Sequence, residues 1–163
     1  MILTVNDFKV EAQIPGLFPA AGTASPNNLV VQERVQGFIA KYEPDFLLKF
    51  FNKDKGRAEA LEEYSGRPEA ERTDDLMNRL VEALKAPLSH YVAFHYLRHQ
   101  TVTPTRIGGV VMQGENGRVA SNSSLCVLLW NQMREMNIGI YEGILGGAVP
   151  STELFRMVTD TNL

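Results

Sequence analysis

At 163 residues, with 44% hydrophobic and 21% charged side chains, the chain is long enough to fold as one domain around its own core. Its net charge of −3 argues against a general nucleic-acid binder. The lone cysteine, Cys126, indicates a reducing, intracellular compartment, and the sequence shows neither a signal peptide nor an apolar run of the ~18 residues that span a bilayer.

The first 26 residues contain several prolines and glycines with small residues between them. Because these residue types interrupt regular structure, the segment 1–26 is predicted to be irregular, apart from a short helix begun by Thr4. A helix capped by Asn27 or Asn28 follows, since apolar residues then recur at steps of three and four. This is the start of a helical domain that we predict over residues 27–140.

Proline is expected to end the first long helix at Pro44. The next residues, Asp45 to Phe51, are rich in phenylalanine and leucine and are predicted to form a separate, short, buried helix. Lys55 to Tyr64 is more polar and is predicted as a surface helix that ends at the turn formed by residues 65–68.

A long helix is predicted to begin at Thr73, which is a good N-cap residue followed by two acids in the first turn. Its apolar stripe is so wide that the helix should be central or shared with a partner. Pro87 lies within the stripe, and because the stripe keeps its phase across it, we predict a kink rather than a break. Pro104 is expected to end the helical region.

The stretch from residue 105 to residue 120 is glycine-rich and predicts an extended arm. Asn116-Gly117 is a strong signal for a two-residue hairpin turn, which would place Glu115 opposite Arg118. An isolated hairpin is marginal in water, so its apolar side chains need a surface to pack on, and we predict that a neighbouring subunit supplies it. The residues assigned to this subunit interface are Val110, Val111, Met112, Glu115, Asn116, Arg118 and Val119.

Polar residues 121–124 are predicted to begin a second helix dense in hydrophobic side chains. Residues 141–163 form a glycine-containing C-terminal segment in which 151–158 is predicted as a last short helix. The fold class is therefore all-α: a single-domain helical bundle with one projecting β-hairpin or extended-loop arm.

No motif names a reaction, so no catalytic residue, cofactor or metal is predicted. His95 and His99 lie four residues apart, and both imidazoles would project from one helix face, where they would suit a metal ion if a third ligand were present. No HExxH-like pattern supplies that ligand. Cys126 lies in the first turn of its helix but has apolar neighbours, so burial as a small hydrophobic residue is expected.

Charge is distributed unevenly along the chain. Residues 43–75 contain ten acids and six bases, whereas residues 76–134 contain six bases and two acids. Two solvated surfaces are the simpler explanation. A sharper hypothesis is that the acidic surface of one copy meets the basic surface of the next, as in a head-to-tail ring.

The order of parts resembles the head–tail connector, or adaptor, proteins that join the portal to the tail in tailed phages and prophages. The resemblance covers roughly residues 27 to 140 and is strongest in four segments. These are Tyr-Glu-Pro-Asp-Phe-Leu-Leu at 42–48, Tyr-Val-Ala-Phe-His-Tyr-Leu-Arg at 91–98, the run 105–120 with Gly-Val-Val and Glu-Asn-Gly, and Trp-Asn-Gln-Met at 130–133. Similar chains occur in prophages of gut Bacteroidetes.

The resemblance implies a non-enzymatic subunit that assembles into a closed neck ring of about a dozen copies between portal and tail proteins. It also implies extended loops that clasp neighbouring subunits and at most non-specific contact with DNA in the lumen. The expected location is the cytoplasm of the bacterial host during assembly, then the virion, without membrane contact. Two alternatives stay open: a small intracellular helical metalloprotein using His95 and His99, and a helical DNA-packaging accessory protein.

Overall fold

The computed structural model describes residues 1–9, 12–18, 26–100, 102–105, 108–111, 122–147, 149, 153–157 and 159, and these are mostly helical. The α-helices are α1 (Pro26–Phe50), α2 (Lys55–Gly66), α3 (Asp75–Gln100) and α4 (Asn122–Ile140). Two short strands, β1 (Val102–Thr105) and β2 (Gly108–Val111), lie between α3 and α4. The prediction of a helical fold is confirmed.

Helix α1 differs from the prediction at its start and at Pro44, where a helix end and a separate short helix over Asp45 to Phe51 had been expected. It begins at Pro26, and the side chain of Asn28 is buried and donates from Nδ2 to the carbonyl of Gly16 at 2.7 Å. Proline suits the first helical position because the missing N–H has no intrahelical partner there. The helix also continues through Pro44, because this proline is exposed and the buried stripe, which includes Ile39, Phe46 and Phe50, keeps its phase across it.

Helix α3 begins one residue later than predicted. The carboxylate of Asp74, rather than the hydroxyl of Thr73, accepts the N–H of Met77 at 3.0 Å, so Asp74 occupies the N-cap. The helix then runs without a break through Pro87, as the continuous stripe predicted. A proline at this position leaves the carbonyl of Ala83 without its usual helical donor.

The core is organised around α3, which packs against both α1 and α4. Tyr91 marks the junction, since its ring contacts Tyr42 and Phe46 of α1 and Trp130 of α4. One side chain of α3 therefore joins both flanking helices in the same part of the core.

The N-terminal residues are bound tightly to this core. Thr4 begins a 3₁₀ turn at Val5–Asp7, as predicted, and its backbone N–H and its hydroxyl both donate to the Asp7 carboxylate at 2.7 Å. Ile2 and Leu3 donate their backbone N–H groups to the two carboxylate oxygens of Glu43, at 2.8 and 3.1 Å. Glu43 is only 2% exposed, so this buried carboxylate joins the start of the chain to the middle of α1.

The C-terminal end of α4 continues directly into a π-helical turn. Gly139 is accommodated inside α4, and Tyr141–Leu145 forms a π-helical turn that ends at Gly146 with φ of 60°. Glycine adopts this left-handed conformation without steric cost. Further along, a 3₁₀ turn at Glu153–Phe155 lies within the span predicted as the last short helix, and Leu154 is fully buried.

Strands β1 and β2 pair antiparallel, with Val102 opposite Val111 and Thr105 opposite Gly108. This pair of strands, Val102–Thr105 and Gly108–Val111, precedes the turn that the sequence predicts at Asn116 and Gly117. The predicted turn and its second strand lie outside the described residues, so that hairpin stays a prediction.

Candidate functional site

The predicted subunit interface falls at the edge of the described chain. The backbone of Val110 and Val111 lies in β2, opposite Thr103 and Val102. The other assigned residues, Met112, Glu115, Asn116, Arg118 and Val119, lie outside the described residues. The structure therefore provides β2 with a partner strand from its own chain, and it leaves the role of the arm in assembly as a prediction.

A polar cluster between α1 and α3 joins three side chains through one carboxylate oxygen. Asp45 Oδ2 accepts from Lys49 Nζ at 2.9 Å and from the Tyr91 hydroxyl at 2.6 Å. Lys49 Nζ also donates to the Tyr91 hydroxyl oxygen at 2.7 Å. Partial burial raises the pKa of Asp45, but the hydrogen bonds from Lys49 and Tyr91 outweigh burial and leave that pKa below its usual value.

The two candidate metal-binding histidines lie beside the same aromatic residue of α1. The His95 ring stacks on the Tyr42 ring at 4.0 Å between centroids, and the Tyr42 hydroxyl lies 3.3 Å from Nε2 of His99. The prediction that both imidazoles share a helix face agrees with this arrangement. Within the part of the chain that the structure describes, no group of three or more His, Cys, Asp or Glu side chains is arranged to hold a metal ion.

His95 is held in an apolar, aromatic environment. The edges of Tyr91 and Phe94 meet its ring at 4.6 and 5.1 Å, and its Nε2 is shielded from solvent without a hydrogen-bond partner among the described residues. Burial, together with the nearby positive charge of Lys49, lowers the pKa of His95 to about 4. The imidazole is therefore neutral at physiological pH and acts as a packing group rather than as a cation.

This lowered pKa predicts an acid-sensitive fold. The unfolded chain binds a proton at His95 near pH 6.5 and the folded chain only near pH 4, so stability is complete above pH 6.5 and falls between these values. We expect urea unfolding to show a loss of about 2–3 kcal/mol across that window. His95→Phe, which keeps a stacked ring but cannot titrate, is the matched control.

Two neighbouring carboxylates help to assign that slope. The stability that Asp45 contributes to the fold is lost only at lower pH, because its pKa is depressed. The buried Glu43 has a raised pKa, so its protonation favours the folded state and does not produce a loss in this window. If the wild-type chain and His95→Phe lose stability equally between pH 6.5 and 4, His95 is not the group responsible.

Cys126 is buried, as its apolar neighbours predicted. Its Sγ lies 3.9 Å from the carbonyl of Phe94, and burial raises the pKa of the thiol. A thiol with a raised pKa is a poor nucleophile at neutral pH, so this position acts in packing between α3 and α4.

Most of the bases of residues 43–75 pair with acids of the same segment, whereas most of its acids do not. Besides Lys49 with Asp45, Lys55 pairs with Glu59, Arg57 with Asp54, and Arg67 with Glu63. These exposed pairs are worth little individually, and they leave the acidic excess of the segment unchanged. The hypothesis of an acidic surface meeting a basic one remains a prediction.

Apolar side chains are exposed on the outer faces of both flanking helices. Leu29 and Val30 on α1 are 60% and 46% exposed, and Leu125 and Leu128 on α4 are 38% and 51% exposed. On α4 they continue into a shallow groove lined by Leu128, Asn131, Gln132, Glu135 and Met136. These exposed leucines and the valine are the candidate positions for contact with another protein.

Two of the contacts around α1, those of Glu43 and of Asp45 with Lys49, were not predicted from the sequence. Nothing local marked Glu43, because the backbone groups that it binds lie 40 and 41 positions earlier in the chain. The pairing of Asp45 with Lys49 had a visible signal, since opposite charges four residues apart face each other on a helix. Both residues lie within the helix predicted over 45–51, so this pair was predictable from the sequence.

Comparison with known proteins identifies no relative. No protein-family model matches the chain, no curated protein matches it, and no solved structure matches it. Among the described residues, no helix is both long and apolar enough to cross a membrane.

Proposed function

We propose that this chain is a structural subunit of a ring that joins the portal to the tail in a tailed phage or prophage. The observation that carries the proposal is that two different helices, α1 and α4, expose apolar side chains, with the predicted arm inserted in the chain between α3 and α4. A ring subunit contacts two neighbours, and exposed apolar groups on two separate helices suit that role.

The arm is proposed to stabilise the ring by burying its apolar residues against a neighbouring subunit. Val110, Val111, Met112 and Val119 carry this role, while Glu115, Asn116 and Arg118 shape the tip. Removing apolar surface from water contributes about 25 cal/mol per Å², so a few such side chains supply several kcal/mol at each contact. The subunit would assemble in the bacterial cytoplasm, join portal and tail proteins, and remain in the virion around the passing DNA.

The proposal predicts that charges in the arm abolish assembly. Val110→Asp combined with Val119→Asp should reduce the assembled mass in light scattering to that of the free subunit, because each neighbour contact would then bury a carboxylate. Ala60→Asp combined with Ala70→Asp adds the same charge at exposed positions of the α2 region and is the matched control. An unchanged mass for the arm variant would show that the arm is not the clasp.

The gene's neighbourhood provides an independent test of the functional class. Genes for terminase, portal and capsid proteins beside this one would support a neck component, whereas a metabolic operon would argue against it. The metalloprotein alternative gains no support from His95, whose ring stacks on Tyr42 and meets the edge of Tyr91.

A further inference from the structure

We infer that Asn137 of α4 and the turn of α3 before Pro87 form a buried binding site for internal water. The inference does not depend on the proposed ring, because it rests only on how these two helices pack. Asn137 is fully buried, and neither its Nδ2 nor its Oδ1 has a hydrogen-bond partner among the described residues. A buried amide without partners is strongly unfavourable, so a ligand for it is expected.

Asn137 belongs to the face of α4 that packs against α3. At steps of three and four, the residues of this face are Cys126, Trp130, Met133, Asn137 and Ile140. Its first two members fix the alignment of the helices. The Sγ of Cys126 lies 3.9 Å from the carbonyl of Phe94, and the ring centroid of Trp130 lies 6.0 Å from that of Tyr91. The helices are therefore antiparallel, since residue numbers rise along α4 as they fall along α3.

This alignment brings Asn137 to the turn of α3 that contains Pro87. Asn137 follows Trp130 by seven residues, about two helical turns, and the matching position on α3 is Leu84, seven residues before Tyr91. A helical side chain leans toward the N-terminus of its own helix. Because the helices are antiparallel, the amide of Asn137 leans from the level of Leu84 toward that of Pro87.

The backbone at Pro87 supplies a second polar group. Proline has no N–H, so the carbonyl of Ala83 lacks its usual helical donor, and this carbonyl points along the helix toward Pro87. Ala83 and Pro87 lie eleven and seven residues before Phe94, so all three share one face of α3. The hydroxyl of Ser89, in the following turn, donates to the carbonyl of Ala86 instead. The carbonyl of Ala83 and the amide of Asn137 therefore converge on one region between the helices.

Water is the ligand that suits these two groups. The carbonyl of Ala83 only accepts hydrogen bonds, whereas the amide of Asn137 both donates and accepts, and a water that accepts from Nδ2 can donate to the carbonyl. Both groups are neutral, and the flanking Leu84 and Met133 are apolar and fully buried, which favours a neutral ligand over an ion. Such a water fixes the alignment of α3 and α4, the two helices on either side of the predicted arm.

Nuclear Overhauser contacts with water, measured by NMR on the wild-type chain, test the site directly. We expect the side-chain amide protons of Asn137 to show a contact with a long-lived water although the residue is fully buried. The backbone N–H of Leu129, buried on the same helix, is the matched control and should show none. The absence of a water contact at Asn137 would overturn the inference.

Urea denaturation of two single variants and their combination tests whether the water also binds the carbonyl of Ala83. Asn137→Leu removes the amide and fills the space of the water, whereas Pro87→Ala restores the N–H that bonds this carbonyl within α3. Asn137→Leu should therefore be less favourable to folding in the wild-type chain than in the Pro87→Ala chain, by about fivefold in the unfolding equilibrium constant. Additive effects would show that the amide and the carbonyl share no ligand, which would also overturn the inference.

Discussion

Replacing Tyr91 by alanine is expected to lower the free energy of unfolding by about 4–5 kcal/mol, the upper range for deleting a buried aromatic side chain. Tyr91 is fully buried, and its ring contacts aromatic side chains of both flanking helices. Its loss would open a cavity at the junction of α1, α3 and α4. Urea denaturation followed by the fluorescence of Trp130, which lies 6.0 Å from the Tyr91 ring, measures the effect.

Tyr91→Phe is the matched control for that experiment. It keeps the ring and removes only the hydroxyl that donates to Asp45 and accepts from Lys49. Because these two charged groups still pair with each other, the expected cost is about 1–2 kcal/mol. Equal losses for the alanine and phenylalanine variants would mean that the hydroxyl, rather than ring packing, holds the helices together.

Glu43→Ala is expected to cost about 3–4 kcal/mol, because two buried backbone N–H groups lose the carboxylate that accepts from them. The N–H groups of Ile2 and Leu3 point into the core, where water cannot replace the carboxylate. The first residues should detach from α1 as a result. Amide hydrogen exchange at Ile2 and Leu3, together with thermal unfolding, reports both consequences.

Glu43→Gln separates the hydrogen bonds from the charge. The amide keeps the shape and one acceptor oxygen, and it removes a charge whose burial is unfavourable, as the raised pKa of Glu43 indicates. We expect a loss of about 1 kcal/mol, well below that of the alanine variant. Fast exchange at Ile2 and Leu3 in the wild-type chain would contradict this role for Glu43.

Helix periodicity predicted most of the helical architecture because the apolar stripes of this chain are long and in phase. The stripe from Leu76 to His99 indicated a continuous α3 even with Pro87 inside it, and the structure confirms that helix. The same logic applied to α1 would have joined its two halves. Pro44 was instead given the weight of a stop signal, although an exposed proline removes only one backbone donor.

The candidate site was less predictable because its contacts join positions that are distant in sequence. Tyr42 and His95 are on different helices, and no local spacing indicates that their rings stack. The shared position of His95 and His99 on one helix face was foreseeable, since four residues make about one helical turn. Their aromatic surroundings, which keep His95 neutral, depend on how α1 and α3 cross.

The hydroxyl of Tyr141, in the π-helical turn, donates to the carbonyl of Phe50, the last residue of α1. The donor is made 91 residues after the acceptor. During synthesis on a ribosome, the C-terminal end of α1 is therefore made long before the tyrosine that binds its last carbonyl. Ordering of this helix end and arrival of the π-helical turn are thus coupled, and chains truncated before Tyr141 should fray at the C-terminal end of α1.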